Sequence, residues 1–525
     1  MLHFKPLVCV NGKRVLSYTC AAVLLALLLA CGSGMNSDAN NGDGGGSNTP
    51  PPPPPPPSLL TRLSTDPYNN ATSQHATEVE PSIASSGSTL VSVFQMGRFF
   101  NGGASNIGFA TSIDGGASWT SGSLPGTTTF AGGTYVAISD PAVAYDRLHA
   151  TWLISSLAVL SGSDAVVVSR SPDGLTWSGP MTVSNTPDSD KNWITCDNNQ
   201  ASPFYGHCYT GWDDPSADGL IWMTTSSDGG QTWTSPVNTG DSAKGIGVVP
   251  VVQPDGTVIV PASDNAGTHM IAFTSPDGGA TWSASTILAT ISDHQVAGNL
   301  RNDALPMSTV DGNGMVYLVW PDCRFRGGCS SNDIVMSTSS DGVKWADPVR
   351  IPIDAASSTA DHFLPVIAAD PATAGSTAHL ALVYHYYPNA SCSEADCALN
   401  VAYVTSQDGG NSWTSPTVLA GPMSLDWLAN TKLGRMVGDY AGVAYAAGKA
   451  YPAIAVARAN NGTTFDEAIY STTNPLAQVQ GTSVVQHQKP VPGAHSDHPA
   501  REFYDEEGRY PRKPPIAKKR MRRSK

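Results

Sequence analysis

Residues able to do chemistry recur at corners of this sequence. Ahead of a series of short apolar segments stand Glu80, Asp140, Asp190-Lys191-Asn192, Asn302-Asp303, Asp361-His362 and Asp439-Tyr440. A second series follows later segments: Arg98, Asp213-Asp214, Asp264-Asn265, Asp322-Cys323-Arg324, His385-Tyr386 and Arg458. Carboxylates mixed with Arg, Tyr and His suit a polar ligand such as a sugar. Carboxylates alone are hard oxygen ligands, so calcium is an option, although no cofactor is required. A plainer role stands beside each: an Asp ahead of a strand often caps a turn or binds neighbouring backbone. Asp322 and Arg324 can pair with each other.

The elements that must hold these corners are strands. The chain has 525 residues, 51 Gly, 40 Pro and only 14% charged residues. That composition excludes an all-α protein and points to a turn-rich all-β one. One short motif appears six times, first as Ser112 to Trp119, then as Ser171 to Trp177, Ser226 to Trp233, Ser275 to Trp282, Ser339 to Trp345 and Ser406 to Trp413. Its acidic residues are Asp114, Asp173, Asp228, Asp277, Asp341 and Asp408, at intervals of 59, 55, 49, 64 and 67. Each interval suits a four-stranded antiparallel sheet with variable loops. Asp-Gly is a tight-turn signature, in which Asp accepts backbone N–H groups and Gly supplies a positive φ. Trp then begins the next strand and buries a ring beneath the turn. Short runs rich in β-branched and aromatic residues, as in Leu90 to Phe94 and Val316 to Trp320, mark the strands between. These Asp residues are structural, not site candidates.

The motif resembles the Asp-box, or BNR, repeat of the sialidase-like β-propellers. The resemblance implies a single β-propeller over residues 58–473, with the boxes on the rim away from the functional face. A seventh strand phrase, from Asp439 to Ser471, has no box. Its outer strand is expected from Leu59 to Ser64, so seven blades are favoured over six. If the family's exo-sialidase chemistry carries over, Tyr440 supplies the nucleophile, Glu80 its base, and Asp190 or Asp361 the acid/base. Arg98, Arg324, Arg435 and Arg458 then supply the arginines for a substrate carboxylate, and Lys191, His362 and Asp439 complete the ligand-binding set. The departures are large. The start motif of the family is missing, the arginine spacings differ, and glutamates are scarce in the body. Glycan recognition without turnover is therefore preferred to an exo-acting sialidase-type hydrolase.

The ends of the chain place the body in a compartment. Lys5, Lys13 and Arg14 precede an apolar run that ends at Leu27-Leu28-Leu29-Ala30-Cys31. This resembles the bacterial lipobox, which implies that residues 1–30 are a signal peptide and that Cys31 carries lipid. Gly32 after the Cys favours outer membrane or cell surface over the inner membrane. Residues 31–57 read as a tether: Gly, Ser and Asn, then a proline run from Pro50 to Pro57 that is roughly 25 Å long as polyproline. Six cysteines remain in three close pairs, Cys196 with Cys208, Cys323 with Cys329 and Cys392 with Cys397, read as disulfides of an exported protein. Residues 474–525 are expected to be a disordered basic tail. The middle, residues 31–500, holds 16 basic and 39 acidic residues, a charge of −23 that repels nucleic acid. The expected partners are carbohydrate or glycoprotein, and a membrane only through the lipid anchor; the protein is expected to be a monomer.

Overall fold

The repeated phrases pair with their immediate neighbours, as antiparallel strands joined by tight turns do. A computed structural model describes residues 59–186 and 188–491. The leader, Cys31, the tether and the chain beyond Val491 lie outside the described residues. The fold is an all-β propeller, and its helical content among the described residues is a few short 3-10 turns.

Every inter-strand ladder is antiparallel. Glu78–Ser86, Thr89–Arg98 and Ala104–Ser112 pair in order, with Thr120–Ser123 on the last of them. They continue through one residue pair, Ala104 with Ile138, into Ala137–Asp146, Thr151–Leu160, Ser163–Ser171 and Met181–Thr186. A three-stranded sheet follows, Asp190–Cys196, Cys208–Asp214 and Leu220–Ser226. A five-stranded sheet is built on Val258–Asp264 and His269–Ser275. Two four-stranded sheets come next. One holds Met307–Val310, Val316–Asp322, Asp333–Ser339 and Val349–Arg350; the other holds Asp361–Ala369, Leu380–Tyr387, Ala398–Ser406 and Thr417–Ser424. The last sheet joins the first described strand to the strands of the seventh phrase. Leu60–Arg62 pairs with Glu467–Thr472, beside Lys449–Ala457 and Gly442–Ala446, with Leu60 opposite Thr472. That is the pairing expected of Leu59 to Ser64.

Each Asp box forms the turn after the third strand of its phrase. In the first, the Ser112 hydroxyl donates to Asp114 (2.8 Å) and accepts the Gly116 N–H (2.8 Å). Asp114 also accepts the Ser118 N–H (2.9 Å) and hydroxyl (2.6 Å). The Ser118 hydroxyl and N–H, together with Ser112, hold the Asp114 carboxyl down at about 2. The Trp rings at 177, 282 and 413 are buried, while Trp119, Trp233 and Trp345 remain half-buried.

All of Ala104–Ser112 and Val316–Asp322 are buried. Neighbouring sheets cover both faces of these strands, so their polar residues are buried too and are satisfied inside. Asn106, for example, donates to the Tyr68 hydroxyl and the Leu124 carbonyl, both at 2.8 Å. The tail boundary expected at 473 moves. Leu476 is 3% exposed, its N–H meets the Ala450 carbonyl, and Ser483–Val484 pairs with Ser412–Trp413. An apolar residue and a short strand bind this segment to the body at least to Val491, whose N–H meets the Arg324 carbonyl. The three expected disulfides are present.

Candidate functional site

The site begins with a backbone irregularity that recurs on four inner strands. The ladder register shifts between Val79 and Ser82, Ser139 and Ala142, Asp190 and Trp193, and Phe363 and Val366. Inside each shift one non-glycine residue takes a positive φ: Glu80 (55°), Asp140 (49°), Lys191 (50°) and Leu364 (47°). A bulge re-aims side chains out of the alternating pattern, and φ in this range is sparsely populated by L residues. Three of the four residues are charged, and these three meet.

Lys191 is their hub. Its Nζ contacts Asp439 and lies 3.6 Å from Asp140 Oδ2 and 3.8 Å from Glu80 Oε1. Arg301 also pairs with Asp439. The Asp439 N–H donates to Glu80 Oε1 (3.1 Å), and the Lys191 N–H donates to Asp140 Oδ2 (3.1 Å). Gln95 donates to Glu80 and accepts from Arg98 Nη1 (2.8 Å), so Arg98 sits behind Glu80. All of these side chains are buried, and the most exposed, Arg301, shows only 6% of its surface. Three carboxylates and three cations, Arg98 reaching Glu80 through Gln95, are thus set against each other out of water. Such a cluster survives only when every charge has a partner.

An apolar wall adjoins the cluster. Tyr440 meets Trp193 edge-on at 5.1 Å, and its hydroxyl donates to the Pro141 carbonyl (3.3 Å). With Val248, Leu305 and Lys191 these rings line a cavity of about 20 Å³. That volume holds about one water molecule. Over this region runs a hairpin, Ala429–Thr431 with Gly434–Met436. It bonds to Gln74, to the Phe100 carbonyl through the Lys432 N–H, and to Asn299 and Arg301 through the Arg435 backbone. Ala429 and Met436 pack on Val79.

The structure brings together Glu80, Asp140, Lys191, Asp439 and Tyr440 of the expected candidates, with Arg98 behind them through Gln95. Asp190 is adjacent, accepting the Lys191 N–H at 3.0 Å. The other candidates stand elsewhere. Arg324 is bound to Asp322 and the Thr290 carbonyl, Arg435 to Glu394 and the Leu428 carbonyl, and Arg458 lies over the Tyr470 ring. Asp361 accepts the Asn332 N–H at 2.7 Å, and burial pushes its carboxyl up to about 8. Asp214 caps a 3-10 turn, and Asp264 binds the turn at Thr268 and His269. Asp322 braces its loop through Ser292, Trp320 and Arg324. Arg301 was missed, although it directly precedes the flagged Asn302-Asp303. Only the distant pairing of its loop with the hairpin carries it to Asp439.

Asp333, Asp354 and His362 have donor atoms within 4.8 Å of one another, the spacing of a metal site. Arg326 and Arg350 already pair with both carboxylates, and burial pushes the His362 imidazole down. The donor set is therefore charge-balanced by protein groups and does not fit a cation without displacing an arginine.

Residues 162–364 match the BNR repeat-like domain family. No curated protein matches the sequence significantly. Among solved structures the chain is similar to a Hadza microbial sialidase, at 16% identity and a TM-score of 0.38. That match covers 75% of this chain and 65% of the sialidase, so the chain spans just under two thirds of that protein. It is similar to an intramolecular trans-sialidase from Ruminococcus gnavus (12% identity, TM-score 0.39, 79% of this chain and 96% of that one). An α-L-arabinofuranosidase of Fusarium graminearum is similar at 12% identity and a TM-score of 0.40, covering 66% and 95%. At these values none of the three transfers an activity.

Proposed function

We propose that this chain is a BNR-repeat, sialidase-like β-propeller that recognises a glycan without hydrolysing it and is displayed on the bacterial cell envelope through lipid on Cys31. We read the propeller as seven blades, four-stranded except for a three-stranded sheet at Asp190–Cys196 and a five-stranded one at Val258–Asp264. The long sheet is divided at its single Ala104–Ile138 pair, and the sheet joining Leu60–Arg62 to Glu467–Thr472 is the seventh. The observation that carries the function is the saturated axis. Lys191 and Arg301 are spent on Asp439, and the adjoining cavity of about 20 Å³ is far too small for a sugar ring. A sialidase needs several arginines on one ligand carboxylate, whereas Arg324, Arg435 and Arg458 serve three different partners. Recognition then falls to the loops around the mouth, and calcium has no necessary part in it.

The test uses the full-length protein on a glycan array, alongside hydrolysis of a fluorogenic sialoside from pH 4 to 7. Binding without turnover is expected. Turnover that disappears in Tyr440→Phe would replace this reading with a sialidase-type hydrolase, and failure to retain any glycan would remove the ligand class.

A further inference from the structure

We propose that Lys191 and Asp439 condense with each other, forming an amide between Lys191 Nζ and the Asp439 side-chain carbonyl carbon. The bond would tie the strand Asp190–Cys196 to the segment just ahead of Gly442–Ala446, 248 residues away in sequence. Four observations support it. Nζ is in direct contact with the Asp439 carboxylate. Two further buried carboxyls, Asp140 at 3.6 Å and Glu80 at 3.8 Å, flank the same nitrogen. Arg301 holds Asp439 Oδ2, where negative charge develops during attack. Trp193, Tyr440, Val248 and Leu305 form an apolar wall, so water that would reverse the reaction is scarce. Lys191 and Asp439 are each placed by backbone: a bulge in one case, the N–H bond to Glu80 in the other. Pre-set geometry of this kind is what makes an otherwise slow condensation proceed.

The step balances. One ammonium proton passes to Asp140, and the freed nitrogen pair attacks the Asp439 carboxyl carbon. The C–N bond forms as the carbonyl pair moves onto Oδ2 beside Arg301. A second proton leaves the nitrogen for Glu80. The C–Oδ1 bond then breaks, and that oxygen takes both protons and departs as water. Glu80 and Asp140 end as they began, one positive and one negative charge vanish together, and nothing is oxidised or reduced. Glu80 and Asp140 themselves are relays rather than acyl partners because both lie farther from Nζ than Asp439 does.

The test is a tryptic map of the full-length protein after reduction and alkylation. A bond predicts that trypsin fails after Lys191. It also predicts a branched product joining residues 171–244 to residues 436–449, lighter than the sum of its parts by one water. Linear peptides, one ending at Lys191 and one spanning 436–449, would show an ion pair only and overturn the proposal. Glu80→Gln, checked for fold by circular dichroism, should return the linear peptides. A branched product persisting in that variant would overturn the role given to Glu80. The map of the parent protein decides the bond even if the variant does not fold.

Discussion

At Gly438 the absence of a side chain sets how closely Asp439 approaches Glu80. Its φ is 141°, and a Cβ there would lie 2.8 Å from the Glu80 Cα and 2.8 Å from the Tyr440 carbonyl oxygen. Gly438→Ala is expected to push Asp439 away from Glu80 and destabilise the fold by about 1–3 kcal/mol, read by urea unfolding. The six box tryptophans, identical in sequence, differ in burial, so they should differ in cost. Trp413 is fully buried and its Nε1 donates to the Gly410 carbonyl at 3.0 Å; replacing it by Ala should cost about 3–5 kcal/mol. Trp119→Ala, at a half-buried ring, should cost clearly less in the same measurement. Box chemistry is legible in sequence because nearly all of its partners lie within a few residues. Glu80, Lys191, Asp439 and Tyr440 are legible as polar residues at strand entries. Their mutual neutralisation is not, because it depends on chain segments hundreds of residues apart.

Elements carry the next level of control. The four bulges turn charges inward at Glu80, Asp140 and Lys191, and no local turn signal marks them, since their φ values are imposed by the ladder. The hairpin Ala429–Thr431 with Gly434–Met436 is equally hidden, because its partners at Gln74, Phe100 and Asn299 come from distant strands. Strand existence and the pairing of Leu60–Arg62 with the seventh phrase were readable from the repeated phrases. The end of the folded body was not. The chain after 473 runs into a basic end and reads as a loose tail, but one well-placed leucine and a two-residue strand suffice to hold its first part. Leu476→Ala should therefore lower stability by about 2–3 kcal/mol, and proteins ending at 473 should melt below those ending at 491. Equal melting of the two lengths would show that the segment contributes nothing.

For the whole molecule, the seam where the first described strand meets the seventh phrase is tuned by acidity. Burial pushes the Glu78 carboxyl up to about 8, against weaker opposing bonds from the Ile469 N–H and Ser64. The folded state thus keeps a proton that the unfolded chain gives up near 4.5. This contribution is fully present below that pH and is lost as pH rises towards 8. Glu78→Gln should match the parent near pH 5 and melt higher at pH 9; an unchanged difference across that range would refute the assignment. Chelation should leave the melting temperature unmoved, because Arg326 and Arg350 already balance Asp333 and Asp354. The same seam has a mechanical meaning. Any load arriving through residues before Leu59 is received first by a strand of three residues, Leu60–Arg62, whose ladder partner is Glu467–Thr472. Pulling there would peel that strand first and spare the sheets behind it, so under tension the propeller would behave as a latch that opens at the catch nearest Leu59.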